Sequence, residues 1–132
     1  MSEANVALVK SVYEYFGRGD IAAVLAALDP DIEWIENDQE FLPFRGAHHG
    51  TGAVVENVFG FVAQTFDEFA VVPQTLHDAG DVVVVEGRAI GKTKTGHSLD
   101  APAAWVWTVR AGKAVRNVNY HDTDAWREAL AP

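Results

Sequence analysis

The chain contains no cysteine. Disulfide staples, thiol nucleophiles and thiolate metal centres are excluded with it. No stretch approaches the roughly 18 apolar residues that a membrane-crossing helix needs. Positive charge is sparse: 10 basic residues stand against 19 acidic ones, for a net charge of −9, and no Lys/Arg cluster appears. Nucleic acid and anionic membranes are drawn to positive surface, so neither is an expected partner. Runs of Pro, Gly or Ser that would mark a linker are missing, as is any internal repeat. The opening residues Met1-Ser2-Glu3-Ala4-Asn5 carry an acid where a secretory leader would be basic, so the expected compartment is the cytoplasm.

What is present is the composition of an ordinary globule, with 48% hydrophobic, 11% aromatic and 22% charged residues. The 132 residues are expected to form one domain, 1–132, burying about two-thirds of the unfolded surface. Val6, Val9, Tyr13 and Phe16 recur at helical spacing, flanked by Leu8, Val12 and Tyr15, and predict a broadly buried helix over 5–18 that Gly17 and Gly19 stop. Asp20 can cap a short helix over 21–28, which Pro30 ends. Ile32, Trp34 and Glu36 alternate along a strand over 31–36. A loop is expected over 37–52, then a third helix over 52–66 capped by Thr51, with Val54, Val55, Val58, Phe59, Val62 and Phe66 on its apolar face. Strands follow over 69–77, with Pro73 marking an edge or a bulge, then over 82–93, 98–109 and 114–121. Asp122 or Thr123 caps a last helix over 124–130. The order α-α-β-α-β-β-β-β-α predicts an α+β domain with helices gathered on one face of a curved, mostly antiparallel sheet.

Four stretches in this order and spacing carry a family resemblance. They are Tyr15-Phe16-Gly17-Arg18-Gly19-Asp20, Leu28-Asp29-Pro30-Asp31-Ile32-Glu33-Trp34, Pro43-Phe44-Arg45-Gly46 leading to Gly52, and Gly112-Lys113-Ala114-Val115 before Tyr120-His121-Asp122-Thr123. The sequence resembles the nuclear transport factor 2-like superfamily, in its SnoaL-like and ketosteroid-isomerase-related branch. The resemblance implies a cone: a curved mixed sheet packed against three N-terminal and central helices plus a short C-terminal one, with a ligand pocket inside. It implies no particular reaction, because this fold hosts isomerases, cyclases, dehydratases, epoxide hydrolases and transport factors alike. Glu36 falls at or beside the proton-shuttling aspartate of ketosteroid isomerases. Glu86, Arg88 and Asn119 fall where epoxide-hydrolase relatives keep an Asp-Arg-Asp set, with the charge order inverted and the last acid replaced. The isomerase oxyanion tyrosine corresponds to Val12, and its partner acid to about Trp105.

The candidate proton-transfer residues are Glu36 and, second, His121, with Arg88 and Asn119 holding ligand oxygens. An acid in an apolar mouth suits proton transfer, because its charged form is costly there. The alternative is a hydrated glutamate at a strand end. Glu86 and Arg88 share a face with Val82, Val84 and Ile90, and are either an ion pair or a ligand-recognition pair. Trp34, Trp105 and Trp107 are either core or cone lining. Val12, Phe16, Phe44, Phe59, Val62 and Asn117 complete the expected pocket wall. His48 is expected to gate the pocket or to meet solvent. Adjacent His48 and His49 point apart and lack a third partner at ligand spacing, so no metal is expected. The reading is a cofactor-independent isomerase, cyclase or dehydratase acting on a small apolar carbonyl compound. A non-catalytic binding module and an epoxide-hydrolase-like enzyme are the alternatives, and a cone plugged by tryptophan would mean a purely structural protein. A homodimer through the outer sheet face is expected, using Val106, Val118 and Tyr120.

Overall fold

Three of the four helices start at a polar side chain that satisfies an otherwise unpaired backbone N–H. In the computed structural model, which describes residues 2–132, Ser2 accepts from the Asn5 amide at 3.1 Å and opens α1 (Glu3–Gly17). Asp20 accepts from Ala23 and opens α2 (Ile21–Ala27); Asp122 accepts from Ala125 and opens α4 (Thr123–Ala129). The third helix, α3, runs without a break through Thr51–Ala53, a π-helical turn Val54–Phe59, and Gly60–Thr65. Thr51 was expected to cap it, but the cap position belongs to Gly50, at φ 86°, and no side chain fills it.

The strands are β1 (Leu28–Glu36), β2 (Gly46–His49), β3 (Phe66–Ala79), β4 (Val82–Thr93), β5 (Ser98–Arg110) and β6 (Lys113–His121). They form one six-stranded sheet in the order β2-β1-β6-β5-β4-β3. The β1–β6 pair is parallel and the other four are antiparallel. This is the expected α+β arrangement with one strand more. β2 lies inside the stretch read as a loop, because Gly-Ala-His-His has no β-branched or alternating pattern and is held only by pairing with β1. Pro73 does sit on an edge strand, and the β3–β4 register shifts between Pro73 and Thr75.

α1 packs across β3 and β4, α3 against β1 and β2, and α4 against β5. Between them lie Val9, Val12, Val24, Ile32, Val83, Val85 and Val109, all fully buried. Each such side chain contributes roughly 1.5–3 kcal/mol of burial. Gly87 is needed where β4 turns past its neighbours: a Cβ there would stand 2.2 Å from the Val72 carbonyl oxygen and 2.8 Å from the Trp105 ring. Among the described residues no helix is long and apolar enough to cross a membrane.

Candidate functional site

Period-two alternation sends Trp105 and Trp107 of β5, and Trp34 and Glu36 of β1, to the concave side of the sheet. There they meet Tyr13 and Phe16 of α1, Phe59 and Val62 of α3, and Trp126 of α4, around a cavity of about 560 Å³. The rings prop one another edge to face instead of collapsing into the space. Trp34 stands 5.7 Å from Trp107 at 89° and 5.7 Å from Phe59 at 88°, and Phe16 stands 5.4 Å from Phe59 at 87°. Phe44 and Phe69 close the wall. The tryptophans therefore line the interior without filling it.

A small polar group sits in this apolar wall. The parallel register, Trp34 beside Asn117 and Ile35 beside Val118, brings the ends of β1 and β6 to one rim, and the His121 amide donates to Asn37 Oδ1 there. Glu36, buried, accepts from Trp34 Nε1 at 2.7 Å through Oε2, while His121 Nε2 lies 3.2 Å from Oε1. A carboxylate can only accept, so Nε2 carries the proton in this contact. His121 Nδ1, in a ring packed 5.4 Å from that of Trp126, has no partner among the described residues. The Tyr13 oxygen accepts from Trp107 Nε1 at 2.9 Å. Burial pushes the Tyr13 phenol far above its ordinary range, outweighing the opposing Trp107 hydrogen bond, so it stays neutral and keeps a hydrogen to donate. Among the described residues no lysine or arginine lines the cavity.

Of the residues expected from sequence, the cavity wall contains Glu36, Asn119, His121, Phe16, Trp34, Phe44, Phe59, Val62, Trp105 and Trp107. Five others lie elsewhere. Glu86 and Arg88 are on the convex face, where Glu86 Oε2 meets His77 Nε2 at 2.7 Å and Arg88 Nε donates to Asp100 Oδ1 at 2.6 Å. Curvature decides this: the concave side admits the small or branched Val83, Val85, Gly87 and Ala89, while long charged chains reach water outside. The epoxide-hydrolase-like reading thereby loses two of its three groups. Val12 points into the solid core and Asn117 is buried behind Asn119. His48 is also buried, behind the wall; its Nε2 donates to the Phe44 carbonyl at 2.7 Å and its Nδ1 accepts from Asn57 at 3.4 Å. It neither gates the mouth nor meets solvent.

Among the lining groups that the sequence does not point to are Tyr13 and Trp126. Tyr13 belongs to the recognised helical stripe, but a step of one residue turns a side chain by about 100°, which exchanges Val12 for Tyr13 at the cavity. Trp126 closes one side because α4 folds back onto β5, a docking no local pattern announces. Among the described residues no three His, Asp or Glu side chains cluster as a metal site would require.

Residues 9–117 match the family model of the SnoaL-like domain. Among solved structures, the chain is similar to an NTF2-like protein from Burkholderia thailandensis E264, with 34% identity over 100% of both chains and a TM-score of 0.89. An NTF2-like protein of unknown function from Burkholderia pseudomallei K96243 shares 30% identity over 99% of this chain and 100% of its own, with a TM-score of 0.89. TerC, co-crystallised with polyporic acid, shares 26% identity over 96% of this chain and 98% of its own, with a TM-score of 0.88. A comparison with curated proteins gives no match. The chain belongs to the SnoaL-like domain family of the NTF2-like superfamily.

Proposed function

We propose that the cavity binds a small, largely apolar carbonyl compound and moves a proton on it without a cofactor, in an isomerisation, cyclisation or dehydration. The observation that carries this reading is the buried Glu36 carboxylate, in an aromatic wall with no lysine or arginine among the described lining residues. A carboxylate held at a cavity wall is placed to act as general base on a bound ligand. With a ketone bound, the Tyr13 hydroxyl donates to the carbonyl oxygen and Glu36 takes the α-proton. The C–H pair becomes the enolate double bond, and charge collects on the oxygen facing Tyr13. His121, through Nε2–H, and Trp34, through Nε1–H, hold the carboxylate in orientation. TerC, crystallised with polyporic acid, supports ligand occupancy of this fold.

The test uses tetralone, an enolisable bicyclic aryl ketone, in heavy water. NMR is expected to show α-proton exchange faster than solvent alone supports, slowed roughly 10²–10⁴-fold in Glu36→Gln. Exchange by Glu36→Gln at the native rate removes Glu36 from the chemistry. Both Glu36 oxygens already meet protein donors, which favours a second reading, a non-catalytic binding module. Tetralone that binds but exchanges no faster than in solvent selects it.

We also infer a homodimer through the convex sheet face, where Tyr120 is exposed beside the partly covered Val106, although Val118 is already buried within its own chain. A monomer at micromolar concentration in light scattering would contradict it.

A further inference from the structure

The cavity wall leaves polar groups of both kinds without a partner among the described residues, and one acceptor among them is fixed by its surroundings. Asn119 Nδ2 donates to the Ile35 carbonyl at 3.1 Å and also to Asn117 Oδ1. A backbone carbonyl can only accept, so the contact with Ile35 fixes which end of the amide is nitrogen. Both partners lie in the sheet, behind the wall. The Asn119 side chain lines the cavity, and its Oδ1, which has no protein partner among the described residues, is the atom left to face it. Glu36 offers acceptor sites on the same rim. Two donors among the described cavity-lining groups remain free: the Tyr13 hydroxyl, whose oxygen already accepts from Trp107, and the buried Trp126 Nε1–H, which has no acceptor.

From this we propose that Asn119 is a specificity residue that requires a hydrogen-bond donor on the ligand: the substrate is an uncharged hydroxylated carbonyl compound, with an O–H against Asn119 Oδ1 in addition to the oxygen held by Tyr13. A ligand without that donor leaves Oδ1 dry and unpaired, the arrangement in which sites discriminate most strongly. An anionic ligand is rejected as well, because it would bring a second negative charge beside Glu36 into a wall without Lys or Arg. The inference rests on the carbonyl-binding reading above, but its test reads binding alone and can fail independently of turnover.

The probes are the positional isomers of hydroxytetralone, their methyl ethers, the corresponding amino and dimethylamino compounds, and tetralone carboxylic acids, titrated by calorimetry or intrinsic tryptophan fluorescence. For at least one ring position the hydroxy and amino compounds are expected to bind roughly 10–100-fold more tightly than the ether and the dimethylamino compound, and the carboxylates more weakly than either. In Asn119→Leu the hydroxy-to-ether ratio is expected to fall to within about twofold, while the ether itself keeps its affinity. If Asn119→Leu does not fold, the side-chain carbonyl carbon resonance of Asn119 in the native protein reads the same contact: hydroxytetralone shifts it and the ether does not. Equal binding of donor and non-donor probes at every ring position overturns the proposal. So does a donor preference that survives in folded Asn119→Leu, or that leaves the Asn119 resonance unmoved. Loss of exchange in Glu36→Gln alongside equal probe binding would leave the proton-transfer reading intact and remove only this one.

Discussion

The sheet carries two glutamate–histidine pairs, one on each face. On the convex face Glu86 Oε2 lies 2.7 Å from His77 Nε2, and the side chains are 61% and 53% exposed. On the concave face Glu36 Oε1 lies 3.2 Å from His121 Nε2, with side chains 4% and 7% exposed. By distance the outer pair is the better contact. By environment the order reverses. Water and salt screen the outer pair and hydrate either partner left alone, so such pairs contribute little. The inner pair has given up that hydration, and whatever loses its partner there stays unpaired or must draw water into an aromatic cavity. What each group would meet in its partner's absence decides its weight, more than the length of the bond.

Removing the inner carboxylate is the largest way to break this comparison. Glu36→Leu strips the acceptor from both Trp34 Nε1 and His121 Nε2, and is expected to cost about 1–3 kcal/mol for the donors left buried. Glu86→Leu is expected to change stability by less than about 0.5 kcal/mol. Denaturant unfolding of the two variants measures both, and equal losses would end the argument that environment outranks distance. Tyr13→Phe comes next. It orphans the Trp107 indole N–H, again about 1–3 kcal/mol, and removes the donor facing the ligand oxygen, which should slow tetralone exchange by roughly 10²–10³-fold. Trp107→Phe separates the two effects, because it leaves the phenol in place. If Tyr13→Phe exchanges like the native protein, Tyr13 holds no oxygen.

The two faces also mark where sequence reading succeeds and stops. Alternation sorted 82–90 correctly into Val83, Val85, Gly87 and Ala89 against Val82, Val84, Glu86, Arg88 and Ile90, but it is symmetric and says nothing about which set looks inward. In β1 the choice was easy, since Ile32 and Trp34 have to be buried and carry Glu36 with them. In β4 both sets contain valines, so alternation leaves the face open, and only the resemblance to epoxide-hydrolase relatives draws the Glu86/Arg88 pair toward the pocket. The deciding fact is the 2.2 Å approach of a hypothetical Gly87 Cβ to the Val72 carbonyl oxygen, which depends on how a neighbouring strand bends. The helices are legible from their apolar stripes, and α2 and α4 also from the caps Asp20 and Asp122, but the Val12-for-Tyr13 exchange turns on helix rotation, which a wide apolar stripe does not fix. β2 and the seat of Trp126 exist only through partners distant in the chain.

The smallest expected effect belongs to a third acid, Asp78, which sharpens the comparison because it is exposed like Glu86 yet is held by backbone amides instead of an imidazole. The Gly80 amide donates to Oδ1 at 2.9 Å, and the Ser2 amide reaches both carboxylate oxygens, at 3.0 and 2.9 Å. These donors, Gly80 foremost and then Ser2, hold the Asp78 carboxyl below its usual range in the folded chain. The unfolded chain lacks them, so folding favours the anion. The stabilisation is complete above the unfolded aspartate value of about 3.9 and is lost as pH falls through the lower folded value. Asp78→Asn cannot titrate, so its unfolding free energy should decline less steeply than that of the native protein as the solution is acidified through this range. Parallel curves would mean that these amide contacts do not outlast hydration at the surface, and that exposure alone, as for Glu86, sets what a carboxylate contributes.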